Sequence, residues 1–117
     1  MLLIEVLMKL YPEKSWLVED SDTYDGIVWG DMDENDRPSE EFLQSKRLEF
    51  ETEQKWKELR EERNKRIAQT DYLATIDYPH ATEEVKQAWF DYRQALRDLP
   101  ANTTDPENPV WPTPPGA

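Results

Sequence analysis

Three groups of residues have the types and spacing to do chemistry. Arg93 and Arg97 stand four apart, so on a helix they share one side, and a forked guanidinium can bind a carboxylate bidentately. Asp71 and Asp77, just upstream, are the intrachain candidates for such a clamp. A backbone carbonyl of the C-terminal arm or a group on a partner protein would also serve. Asp31-x-Asp33-x-Asn35 has the look of a half calcium loop, but the sixth position is Asp36 rather than Gly and the twelfth is Phe42 rather than Glu. A solvated turn is expected there. His80 is the sole histidine and has no cysteine to join it, so zinc is not expected and a polar loop residue beside Pro79 is.

Catalytic arrangements are missing from the residue pattern. No phosphate-binding loop, nucleophile elbow or Cys–His pair is present, and three glycines in all make a phosphate cradle hard to build. Some acidic pair must fall at a glycosidase spacing by chance, yet nothing marks one pair as buried. The expectation is a non-enzymatic chain with no metal and no cofactor. A net charge of −12 argues against a nucleic-acid backbone or an anionic membrane surface as partner. The opening MLLIEVLMKLY contains Glu5 and Lys9 and lacks a basic leader, so it reads as a short soluble helix rather than as a signal peptide or a span.

The elements that must position these residues follow from spacing. Apolar residues are only 37% of the chain, lean for one large core, but five Trp, five Tyr and three Phe can bury much area each. The fold class expected is mainly α, formally α+β. Residues 1–30 form a small module: a helix over 2–10 ended by Pro12, then strands over 15–19 and 24–29 with a turn at 20–23. Gly26 marks a bulge or turn in the second strand. A two-stranded hairpin is marginal alone and should pack on the helix, on another chain, or both. Residues 31–38 read as a polar linker.

Residues 39–69 contain neither Gly nor Pro and carry eight acidic and eight basic side chains. They read as a long charged helix started by Ser39, with acid-first pairs Glu51–Lys55, Glu53–Lys57, Glu61–Lys65 and Glu62–Arg66. Its apolar face is thin (Phe42, Leu48, Phe50, Trp56, Leu59, Ile67), with no sustained heptad, so it resembles a strut touching neighbours at intervals, copies of itself among the candidates. In residues 82–100, Val85, Ala88, Trp89, Tyr92, Ala95, Leu96 and Leu99 recur at helical spacing behind a Thr82 cap, with Pro100 expected to close the helix. An antiparallel helical hairpin over 56–100 would set Trp56 and Leu59 against Trp89, Tyr92, Leu96 and Leu99, with Tyr72, Leu73, Ile76 and Tyr78 filling its open end. Truncating a fully buried Trp89 would cost about 3–5 kcal/mol. Residues 101–117 hold five prolines around Val110 and Trp111 and read as an extended arm that cannot be helix.

The segment 56–115 resembles the tail assembly chaperone-like domain found in proteins of tailed bacteriophages. Arg60, Arg63, Asp71 and Tyr72 match its first helix and turn. Trp89, Tyr92, Arg93, Gln94, Leu96, Arg97, Asp98, Leu99 and Pro100 match its second helix, and Trp111 with Pro112 its tail. Tyr72 stands where the family shows Trp, and Ile67 with Ala68 where it shows a leucine pair; an aromatic and an apolar anchor are both retained. Residues 1–29, ending YDGIVW, are similar to the opening of small proteins of marine and cyanobacterial phages. The resemblance implies a protein made in the bacterial cytoplasm that binds other phage tail or tail-fibre proteins. The leading expectation is a structural component of the virion, in the tail or at the fibre attachment, and the alternative is a transient assembly chaperone absent from the mature particle. The residues offered for partner contact are Trp111, Pro112, Phe42, Phe50, Trp16 and Trp29. Docking of Trp111 on its own hairpin and its insertion into another subunit are both open at this stage.

Overall fold

In a computed structural model of the chain, residues 1–18, 23–30 and 32–116 are described. They are mainly helical and fall into two compact units, Met1–Glu53 and Gln54–Ala117. None of the described helices is long and apolar enough to cross a membrane.

The first unit begins with α1, Leu3–Leu10, whose Leu3, Val6 and Leu7 are buried at helical spacing. Two short strands follow, β1 (Leu17–Val18) and β2 (Ile27–Val28), paired antiparallel with Leu17 opposite Val28 and Val18 opposite Ile27. The strands are shorter than the sequence suggests. Tyr24–Gly26, expected as strand, is a 3-10 turn capped by the Thr23 hydroxyl, which accepts from the Gly26 N–H at 3.2 Å. The turn expected over 20–23 lies mostly outside the described residues. Leu3, Val6, Leu7 and Ile27 form the core together with Leu43, the first buried residue of the long helix. Burying a leucine or valine fully is worth about 1.5–3 kcal/mol, so a handful of them holds this small unit.

Residues 32–38 are not a free linker. Met32 is buried, and its carbonyl accepts from Arg37 Nε at 3.2 Å. The Arg37 guanidinium lies 5.7 Å from the centre of the Trp29 ring, and Tyr24 donates its hydroxyl proton to the Pro38 carbonyl at 2.7 Å. Asp33 Oδ1 accepts from the Asn35 N–H at 3.0 Å, which occupies it as a turn cap, and Asp31 lies outside the described residues.

Helix α2 spans Glu40–Ala68; its residues to Glu53 belong to the first unit and the rest to the second. Ser39 caps it as expected, its Oγ accepting from the Phe42 N–H at 3.1 Å. We expect Ser39→Ala to cost about 1 kcal/mol, read as faster amide exchange in the first turn of α2. The charged ladder differs in partner from the expected one. Of the four acid-first pairs only Glu62–Arg66 is closed, at 3.0 Å, whereas Lys55 turns to Glu58 and Lys57 to Glu61. Exposed pairs worth about 0.2–0.5 kcal/mol each leave long side chains free to choose among neighbours.

In the second unit a 3-10 turn over Asp71–Ala74 follows α2, and α3 spans Glu83–Asn102. Thr82 caps α3, its Oγ1 accepting from the Val85 N–H at 3.1 Å. Pro100 does not close this helix. It removes one N–H from the ladder in the last turn, and Thr103 takes over the termination. The Thr103 hydroxyl donates to the Leu99 carbonyl at 2.6 Å and its N–H to the Pro100 carbonyl at 3.4 Å. Ala101 and Asn102, assigned to the extended arm on proline content, are therefore helical.

Candidate functional site

The side chains expected to make contacts separate by environment. In the first unit Trp16, Trp29 and Phe50 are partly buried and pack against the core built on α1. Trp29 meets Trp16 edge-on at 5.8 Å and Tyr24 at 5.6 Å between ring centres, and Lys9 lies over Phe50 at 5.0 Å. Phe42 does remain exposed, because the next residue, Leu43, takes the inward position on α2. The thin face read along α2 had omitted Leu43, and a 100° step per residue decides between two adjacent apolar side chains.

In the second unit the buried residues are Leu59 on α2, Leu73 in the turn, and Tyr92, Leu96 and Leu99 on α3. Trp56 and Trp89 are half-buried, Trp89 edge-on to Tyr92 at 5.9 Å and Trp56 beneath Arg60 at 6.0 Å. The expected end-filling is partly wrong. Leu73 is inside, whereas Ile76 is fully exposed and Tyr72 faces outward. His80 is more than a polar loop residue: its Nε2 lies 2.8 Å from the Leu73 carbonyl, and its ring contacts Tyr78 at 4.7 Å and Phe90 at 6.4 Å.

At the centre of this unit is Arg93. It lies on the buried side of α3 with only 8% of its surface exposed. Its Nη1 donates to the Ile67 carbonyl at 3.0 Å, to Thr70 Oγ1 at 2.8 Å and to Asp71 Oδ1 at 3.0 Å. The Ile67 carbonyl belongs to the last turn of α2, where carbonyls lose their helical partners and the helix dipole is negative. Arg93 is thus a C-terminal cap for α2 supplied by α3. Arg63 on α2 reaches the other way, its Nη1 donating to the Arg97 carbonyl at 3.3 Å. Half of the expected clamp is absent. The Arg97 guanidinium turns outward to Gln94 Oε1 at 3.0 Å, and Asp77 makes no bond among the described residues. A sequence displays side-chain acceptors and hides carbonyls, so the Ile67 oxygen could not be read from it, though Arg93 and Asp71 were.

The arm docks on its own unit. The Arg66 guanidinium sits 3.9 Å from the centre of the Trp111 ring, close enough for a cation–π contact. Trp111 borders a hollow with Leu59, Glu62, Pro106 and Pro109, and a second one, shared with Pro112, along Ala95, Asp98 and Leu99. Of the two roles open for Trp111, the intrachain one is the arrangement present.

A carboxylate turn holds the arm's bend. Asp105 Oδ1 accepts from the Glu107 N–H at 3.0 Å and Oδ2 from the Asn108 side-chain amide at 2.8 Å. The Asn108 bond first, and the Glu107 bond second, lower the carboxyl pKa from its ordinary 3.8. A group with a depressed folded-state pKa contributes stability above its ordinary value and loses it as pH falls through the lowered one. We therefore expect the Asn108 side-chain amide signal to report protonation of Asp105, shifting as pH falls below the ordinary carboxyl value of 3.8. Asp105→Asn should abolish that titration.

No curated protein and no solved structure matches the chain. The capped α2 end, the α3 stripe and the docked Trp–Pro arm all fall within residues 52–116, the stretch matched by a family model described as phage tail assembly chaperone protein. That stretch is more than half of the sequence, and the chain belongs to the phage tail assembly chaperone family.

Proposed function

We propose that this protein is a non-enzymatic chaperone of tail assembly that binds a phage tail protein before the tail is complete and then leaves. The family match carries this reading, since it covers all but the last residue of the second unit, from the middle of α2 through the arm. Within that unit, Arg63 on Arg97 and Arg93 on Ile67 support an antiparallel helical hairpin, because the contacts run up one helix as they run down the other. Such a hairpin offers a rigid α3 face and an outward turn bearing Tyr72 and Ile76, exposed apolar residues of the kind that anchor a partner. No nucleic acid, membrane or cofactor enters this reading.

Co-expression with each tail protein of the same phage tests it. A soluble stoichiometric complex with at least one of them is expected, and Ile76→Asp should weaken that complex without unfolding the chain. Failure of every tail protein to co-purify would contradict it.

One observation favours a second reading, a stoichiometric component of the virion in the tail or fibre-attachment region. The Met1–Glu53 unit has its own core, lies almost wholly outside the matched stretch, and leaves Leu2, Met8, Leu17, Phe42 and Leu48 exposed. Those residues would suit permanent contacts with other chains or with further copies of this one.

A further inference from the structure

We infer that the groove on α3 lined by Phe90, Arg93 and Arg97 is a binding site for a single carboxylate carried next to an apolar group, as on an acidic side chain of a partner polypeptide. The starting point is what Arg93 does not bond. A guanidinium has five N–H donors, and every described hydrogen bond of Arg93 leaves from Nη1. The Nε–H and the Nη2–H beside it point the same way and form the side-on fork that matches the two oxygens of a carboxylate. No described residue accepts from that fork, although the residue is more than nine-tenths buried. Arg93 lines a groove of about 470 Å³, bordered by Ala74, Gln87, Phe90, Asp91, Gln94 and Arg97. The unpaired edge has this groove beside it.

The rest of the lining fits the same ligand. Arg97, one turn further along, donates only to Gln94 through Nη1 and has further donors to offer. Phe90 and Ala74 supply an apolar wall. Asp91 is the one acidic residue in the lining, and it already accepts from Gln87 Nε2 at 2.8 Å. Asp71 behind Arg93 and Asp91 in the lining balance the two guanidiniums in charge, so the open fork, rather than a surplus of positive charge, is what selects a carboxylate. A polyanion would meet the chain's net charge of −12, so one isolated carboxylate is the favoured ligand. On the chaperone reading this site would supply one contact to the tail protein, but the site itself does not depend on that reading.

The test is a titration of the full chain with 3-phenylpropionate, following the Arg93 Nε–H signal by NMR, with 3-phenylpropanamide as the uncharged control. A saturable shift in the millimolar range is expected for the acid, with the amide binding at least about tenfold more weakly. Arg97→Gln, an exposed change that keeps the backbone carbonyl used by Arg63, should weaken the acid about threefold or more with the unfolding midpoint unchanged. A shift that never saturates, equal binding of acid and amide, or an Arg97→Gln variant of unaltered affinity would each overturn the site. Loss of tail-protein capture with acid binding intact would count against the chaperone reading instead, and acid binding lost with capture intact against the site.

Discussion

Leu96→Ala is expected to destabilise the second unit by about 3–5 kcal/mol, one of the two largest single-residue effects in the chain. Leu96 has no exposed surface and stands in the middle of the α3 stripe, flanked one turn away by Tyr92 and Leu99. Truncation removes the transfer energy of its methyl groups and leaves a cavity that two anchored helices cannot collapse to fill. The neighbours on the same apparent stripe are informative controls. Ala95 is exposed, and Val85 leaves 39% of its surface in solvent, hence Val85→Ala should cost less than about 1 kcal/mol. Trp89, only half-buried against Tyr92, should lose about 2 kcal/mol rather than the amount a fully enclosed ring would. Amide exchange along α3 in each variant measures these differences. A Trp89→Ala effect equal to that of Leu96→Ala would contradict the burial order.

Arg93→Ala is expected to cost about 2–4 kcal/mol, and Asp71→Asn less than about 1 kcal/mol, despite the 3.0 Å ion pair between them. The asymmetry comes from solvent. The Asp71 side chain is 62% exposed, so water replaces its partner at little cost, and the pair's Coulomb term is screened. When the guanidinium goes, the Ile67 carbonyl keeps the Thr70 N–H and hydroxyl, each at 2.9 Å, but the buried Thr70 oxygen loses its donor and cannot turn to water. The stem of Arg93 also fills space on the buried side of α3. All three bonds leave one nitrogen, so their energies do not add in full. If Asp71→Asn proved as damaging as Arg93→Ala, the ion pair rather than the helix-end cap would be the main interaction.

These two residues also mark how far the sequence can be read. Helix starts were legible, because Ser39 and Thr82 carry the capping oxygen in their own side chains and no Gly or Pro interrupts residues 39–69. Helix ends were less so. The end of α3 depends on Thr103 gathering two carbonyls, and the end of α2 on a guanidinium from another helix. Neither partner is local in the way an N-cap is. Burial within aromatic-rich stretches was also hard to assign. Trp16, Trp29 and Phe50 resemble interface anchors by type, yet a unit with so few aliphatic residues needs them around its own core. Of the partner-contact candidates, Phe42 keeps an exposed face, and Trp111 has an intrachain seat under Arg66. The outward residues Tyr72 and Ile76 looked like core filling because helical hairpins usually close their open end with apolar side chains. Leu73, between them, is the buried one.

The reading of Arg93 as a two-sided group connects stability to function. Its Nη1 holds the end of α2, and the residue also lines the groove. A substitution there changes both at once, which is why the groove is better probed through the exposed Arg97.

The most direct test of the chaperone account is to quantify this protein by mass spectrometry across the stages of infection, in tail-protein complexes from the lysate and in purified mature particles. The account predicts stoichiometric amounts bound to a tail protein before assembly and none in mature particles. A fixed copy number per mature particle would contradict it and establish a structural component of the virion.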